Sequence, residues 1–204
     1  MEKTLSISIA AYNVEKFLKN TLDSLVAPEI MDDIEVLIVD DGSKDNTAVI
    51  GKEFEDNYPN SFKVISKPNG GYGSTINAAI DAATGKYFKT LDGDDWYDTE
   101  NFVKLISDLK RIDADMVITP FTFVNEVTGE KEVVKSDKKF VGKLTTFETL
   151  PFELHPKIKM HSITYKTSLL KDNHIRIGEH CFYTDIEYVI FPMVHVNSVY
   201  FLDY

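Results

Sequence analysis

A chain of 204 residues and 23.2 kDa has room for one sizeable domain, or one domain with a small appendage, and not for two full-sized ones. At 43% hydrophobic, 12% aromatic and 27% charged residues the composition is globular, which excludes disordered and fibrous classes, and apolar runs such as Val36-Leu37-Ile38-Val39 are too short to cross a bilayer. The net charge of −11 is concentrated, with residues 1–100 balancing at −10, a field that disfavours nucleic acid and calls for a divalent cation wherever an anion binds.

Met1-Glu2-Lys3-Thr4 runs into a strand over Leu5 to Ile9 without the basic and apolar regions of a signal peptide, so a cytoplasmic protein is expected. A helix follows over Val14 to Leu25, with Phe17, Leu18, Thr21, Leu22 and Leu25 on one face. Ile34 to Val39 is nearly all apolar, as in a parallel strand covered on both sides. Ile50, Phe54 and Tyr58 recur at helical spacing, and Phe62 to Ser66 reads as a third strand. The next helix carries Ile76, Ala79, Ile80 and Ala83 and is expected to stop at Gly85 as its C-terminal cap. Lys86 to Leu91 is a fourth strand, Phe102, Leu105, Ile106 and Leu109 mark another helix, and Met116 to Thr119 a fifth strand. This alternation predicts a doubly wound α/β sheet.

Beyond residue 120 the pattern changes. Thr122 to Val127 and Lys131 to Val134 read as a hairpin around Thr128-Gly129, and Thr145-Thr146-Phe147-Glu148 as a capping box opening a short helix. Short helices near Lys166 to Lys171 and Tyr183 to Phe191 and a strand over Val199 to Leu202 complete the chain. Residues 1–120 are expected to form an α/β half and residues 121–204 a lobe of the same domain that completes its site, with the abrupt end at Tyr204 suggesting a piece of a longer protein.

Ligands of open α/β sheets bind beyond the carboxyl ends of the strands. Asp92-Gly93-Asp94-Asp95 follows strand four, and its oxygens suit one hard cation such as Mg²⁺ or Mn²⁺, although a solvated turn with a helix-capping Asp has the same composition. An EF-hand is excluded, because Tyr97 stands where its Gly is required and Val103 where its Glu is. Asn69-Gly70-Gly71-Tyr72-Gly73 precedes a helix and can bring backbone amides to a phosphate, or be a plain glycine turn. Neither a dinucleotide fingerprint nor a P-loop is present.

Ser8-Ile9-Ala10-Ala11-Tyr12-Asn13, Val39-Asp40-Asp41-Gly42-Ser43-Lys44-Asp45-Asn46-Thr47, Asn69-Gly70-Gly71 and Asp92-Gly93-Asp94-Asp95, in this order and spacing, resemble family 2 glycosyltransferases of the GT-A fold. The likeness continues through Tyr165-Lys166-Thr167-Ser168-Leu169-Leu170, Thr184-Asp185 and Val199-Tyr200-Phe201-Leu202. The resemblance implies a Rossmann-like, mostly parallel sheet and an inverting, metal-dependent transfer of a sugar from a nucleotide diphosphate, usually UDP, to an acceptor hydroxyl. The acceptor is a saccharide or a lipid-linked glycoconjugate, and the setting bacterial surface polysaccharide synthesis, in the cytoplasm or peripherally at the inner face of the membrane. By position, Ala10, Tyr12 and Asp41 surround the nucleoside, Asn69 and Gly71 lie at the donor, Asp92 lies near the ribose and diphosphate, and Asp94 ligates Mn²⁺ or Mg²⁺. Asp95 supports it from behind, and Asp185 is the catalytic base, with Glu179 and Glu187 as neighbouring competitors.

Four departures stand out: Ala10 replaces the family's Pro, Ile76 replaces an Arg before Asn77, Thr184 replaces the Glu of a Glu-Asp pair, and no Gln-x-x-Arg-Trp segment occurs. The last disfavours a processive synthase, and Ile76, Thr184 and the abrupt end leave a non-catalytic nucleotide-sugar binding module as the alternative. A nucleotidylyltransferase is disfavoured, because its Gly- and Arg-containing N-terminal loop is missing. His155, His161, His174, His180 and His195 lack zinc-ligand spacing, and the lone Cys181 is expected to be packed. His161 and Trp96 are placed near the acceptor mouth, where aromatic faces suit sugars; Phe121 and Phe123 are equally core candidates.

Overall fold

The structure, a computed structural model, describes residues 3–151 and 158–204. His155 lies outside the described residues.

Four parallel strands form the first half of the sheet: β1 (Leu5–Ala11), β2 (Ile34–Asp40), β3 (Phe62–Ser66) and β4 (Tyr87–Asp92). The crossovers between them are α1 (Leu18–Asp23), α2 (Thr47–Asn57) and α3 (Tyr72–Ala82). After α4 (Thr99–Leu109) and β5 (Met116–Ile118), the chain forms a separate hairpin, β6 (Phe121–Val124) with β7 (Lys131–Val134). It then returns to the main sheet through β8 (Leu144–Thr146), β9 (Ile163–Lys166) and β10 (Ser198–Phe201), with α5 (Thr167–Asp172) and α6 (Thr184–Met193) between the last two. The order across the sheet is β3-β2-β1-β4-β9-β5-β10-β8, with β9 antiparallel to both its neighbours and β8 antiparallel at the edge. A mostly parallel sheet flanked by helices is the expected architecture.

Strand alternation sends side chains into two cores. Ile34, Val36 and Ile38 pack with Leu18, Leu22, Phe102 and Leu105 on the face covered by α1, α2 and α4. Leu37 and Val39 pack with Ile76, Ile80, Leu170 and Tyr188 on the face covered by α3, α5 and α6. A strand buried on both faces has no polar side to offer, which explains the unbroken apolar run. The order reverses beside β1, because the chain runs outward through β2 and β3 and then returns to place β4 on the other side. Ala10 lies opposite Asp92 and Ala11 opposite Asp40, so the carboxyl ends of β1, β2 and β4 share one rim.

Four local expectations are corrected. The first helix begins at Leu18, not Val14; residues 15–17 form a tight turn in which Val14 O accepts both Phe17 N and Leu18 N at 2.9 Å, while Thr47 Oγ1 and Asp45 Oδ2 accept the Val14 and Glu15 amides. Gly85 is no left-handed cap, as α3 ends at Ala82; a Cβ there would stand 2.6 Å from Ser6 N, so its small size lets the chain pass β1. Thr145 and Thr146 are strand residues paired with Val199 and Ser198, and a 3₁₀ turn over Phe147–Thr149 replaces the capped helix. Cys181 is exposed instead of packed.

Candidate active site

The rim at the reversal of strand order is built from the turn after β4. Gly93 sits against β1, where a Cβ would come within 2.9 Å of Ala10 O, and its carbonyl accepts Thr21 Oγ1 at 2.9 Å. The turn closes with Asp95 N donating to Asp92 O at 3.1 Å. Asp92 accepts Tyr72 Oη at 2.5 Å; burial pushes its carboxyl above the usual range while that hydrogen bond opposes the shift. Burial also raises Asp95, against the pull of His161, whose Nδ1 lies 3.5 Å from Asp95 Oδ2. One ligand atom from each of Asp92, Asp95 and His161 falls within 4.8 Å of the other two. Two carboxylates and an imidazole are oxygen and nitrogen donors of the kind that hold a divalent cation. Asp94 is exposed on the same turn and lines the cleft in front of this group without belonging to it.

His161 comes from far along the chain, and Lys89 holds it there. The Lys89 ammonium, buried in β4, donates to His161 O at 2.6 Å and Ile163 O at 3.1 Å, tying the turn before β9 to the strand that ends in Asp92. Burial pushes this lysine down to about 7. Lys89 was not among the residues singled out from the sequence, although a lone lysine within the apolar run Tyr87 to Leu91 is a signal that could have found it.

On the other side of β1, Asp41 organises the glycine loop. Its carboxylate is buried and accepts Gly70 N and Gly71 N, both at 2.9 Å, and the Lys67 ammonium at 2.7 Å. Asn69, itself exposed, donates through Nδ2 to Asp41 O at 3.0 Å. Gly71 has φ +82°, a conformation that favours glycine, and leads into α3. Here the two glycine amides serve Asp41. Asn13 joins the loops after β1 and β2, its Oδ1 accepting Lys44 N at 2.8 Å, and leaves neighbouring Tyr12 half exposed beside half-buried Ala10.

Asp185 lies in the first turn of α6, exposed and without a hydrogen-bond or ion-pair partner among the described residues. Its competitors are engaged: Glu187 accepts Gly178 N at 2.6 Å and Glu179 accepts Asn77 Nδ2 at 3.2 Å. His180 N donates to Gly70 O at 2.9 Å, so the segment leading to α6 rests on the glycine loop. Phe123 is exposed and Phe121 half buried against His161, so neither is a core residue.

The family described as Glycosyl transferase family 2 matches residues 6–171. The chain belongs to glycosyl transferase family 2. Among relatives of this family, the putative glycosyltransferase EpsH of Bacillus subtilis is 28% identical over 211 residues, covering 94% of this chain and 60% of its own. The minor teichoic acid biosynthesis protein GgaB of the same organism is 30% identical over 183 residues, covering 86% of this chain and 19% of its own. The chain therefore spans only part of the length of these family 2 relatives. Residues 1–349 of S. aureus TarS, solved with UDP-GlcNAc, share the fold at a TM-score of 0.76 and 23% identity, covering 98% of this chain and 56% of that one. The mannosyltransferase PcManGT of Pyrobaculum calidifontis, solved with GDP-Man and Mn²⁺, superposes at 0.67 with 14% identity, over 100% of this chain and 55% of that one. The expected family and its GT-A architecture are borne out.

Proposed function

We propose that this chain transfers a sugar from a UDP-sugar to an acceptor hydroxyl with inversion, using Mn²⁺ or Mg²⁺. The observation that carries this reading is the convergence of Asp92, Asp95 and His161 at the reversal of strand order, with Asp94 at the same turn. The UDP-GlcNAc of TarS and the Mn²⁺ of PcManGT support the choice of ligands. Residues 1–120 form the donor half, with Ala10, Tyr12, Asp41, Asn69 and Gly71 around the nucleotide, and residues 121–204 the acceptor side.

Asp92, Asp95 and His161 are the residues to hold the cation, with Asp94 facing the diphosphate. When bound, a divalent ion supplies positive charge to the diphosphate as it leaves. The acceptor oxygen attacks the anomeric carbon on the face opposite the leaving group, and the bond from that carbon to the diphosphate oxygen breaks. Asp185, whose side chain has no hydrogen-bond or ion-pair partner among the described residues, takes the acceptor's hydroxyl proton. The setting is cytoplasmic or peripheral at the inner face of a membrane, where lipid-linked acceptors are met. No helix among the described residues is long and apolar enough to cross a membrane.

The test follows UDP release from UDP-GlcNAc and other UDP-sugars, with the anomeric configuration of the product read by NMR. Inverted product is expected, and Asp185→Asn should lower turnover about 10²- to 10⁴-fold. Retained configuration overturns the mechanism. Tight UDP binding without turnover in any arm would favour the binding-module alternative.

A further inference from the structure

The cleft in front of Asp92, Asp95 and His161 has a volume of about 840 Å³ and two exposed aromatic rings in its lining. Trp96, just after β4, is 50% exposed, and Phe123, on the β6–β7 hairpin, is 52% exposed. Phe121 connects that hairpin to the acid cluster, its ring lying 5.5 Å from the His161 ring and edge-on to Phe123 at 5.1 Å. Large rings left facing the same open cleft mark a binding surface with an apolar component.

The charged side chains of the lining are mostly acidic. Asp92, Asp94, Asp95, Asp98 and Glu126 face it, against Lys89 and Lys131. The Lys89 ammonium is committed to two backbone carbonyls, which leaves Lys131 as the lining ammonium without a hydrogen-bond or ion-pair partner among the described residues. A cation held by Asp92 and Asp95 still leaves Asp94, Asp98 and Glu126. Away from the cation, a chain of phosphates or carboxylates would be repelled by these three carboxylates. A neutral sugar offers C–H faces to the rings and hydroxyl donors to the carboxylates.

We infer that this cleft binds an uncharged saccharide as the acceptor, against the rings of Trp96 and Phe123, and turns away polyanionic acceptors. The inference rests on the glycosyl-transfer reading above and adds to it the chemical class of the acceptor and the residues that select it.

Trp96 is the only tryptophan of the chain, so its emission reports directly on the cleft. The 204-residue chain, with UDP and Mn²⁺, is titrated with neutral oligosaccharides (chitobiose, cellobiose, maltotriose) and with polyanions (polyribitol phosphate, polygalacturonate). Saturable change with at least one neutral sugar is expected, weakened about 3- to 10-fold in Phe123→Ala while UDP with Mn²⁺ stabilises that variant as it does the parent. Polyanion binding alone, or no response to any saccharide in a chain that UDP stabilises, overturns the inference. A chain that UDP does not stabilise sinks the donor reading instead; the titration without nucleotide then supports the cleft assignment if a neutral sugar binds and overturns it if none does.

Discussion

At Asp95, proposed above as a cation ligand, burial works against the fold. Burial and the charge of Asp94 raise its carboxyl above the usual value of 3.8, and only His161 opposes them. An acid whose pKa is raised by folding holds its proton more tightly in the native state. Stability therefore falls as pH rises from the usual carboxylate value through the raised one, and the penalty is fully present at neutral pH. In Asp95→Asn that penalty disappears, so the metal-free protein should melt higher at pH 7. The gain is below about 1 kcal/mol, because the half-exposed carboxylate is screened by water. The same variant should lose most of the stabilisation that Mn²⁺ gives the parent, and melts in EDTA and in Mn²⁺ check both. A lower metal-free melting point would mean that the Asp95–His161 contact supports the fold. At this scale the acidic turn was legible, because its residues are adjacent in sequence. His161 was legible only as a residue near the acceptor mouth, since its place beside Asp95 depends on β9 entering the sheet next to β4.

At the scale of elements, what was legible is what periodicity determines. The strands Ile34–Asp40 and Phe62–Ser66 and the helix bearing Phe102, Leu105, Ile106 and Leu109 follow from apolar spacing, and Asp98 caps that helix by accepting Asn101 N at 3.0 Å. What was not legible depends on partners distant in sequence. The anchoring of the turn before α1 comes from Thr47 and Asp45, and the need for glycine at position 85 from the β1 backbone. The contact between α3 and the 177–180 segment is of the same kind and can be tested. A Cβ on Gly73 would lie 2.0 Å from Gly178 O and 2.9 Å from Ile177 Cγ2, while one turn on Asn77 binds Ile177 through both its amide groups. Backbone cannot yield as a side-chain tip can, so Gly73→Ala should destabilise the protein by about 1–3 kcal/mol despite alanine's better helix propensity. Chemical denaturation measures this. A neutral or stabilising result would mean that the segment before α6 moves freely off α3.

For the molecule as a whole, charge decides how an anionic donor is received. Residues 1–100 carry a balance of −10, and the lysine nearest the glycine loop, Lys67, is already paired with Asp41. The amides of Gly70 and Gly71 are likewise committed to Asp41, so this rim offers a diphosphate few free positive groups of its own. UDP should therefore bind weakly to the metal-free chain and tightly once a divalent ion occupies the Asp92, Asp95 and His161 group. At about 100 times its dissociation constant a ligand adds roughly 2.7 kcal/mol, which for a chain of this size raises the melting temperature by about 5–10 °C. That shift is expected for UDP with Mn²⁺ and should be nearly absent in EDTA. Salt separates the contributions further: in EDTA, added salt screens the repulsion and should strengthen the residual binding, whereas with Mn²⁺ it should weaken the attraction. Equal shifts in Mn²⁺ and in EDTA would show that the acidic rim is no barrier to the diphosphate, and that the donor is held by contacts other than a bridging cation.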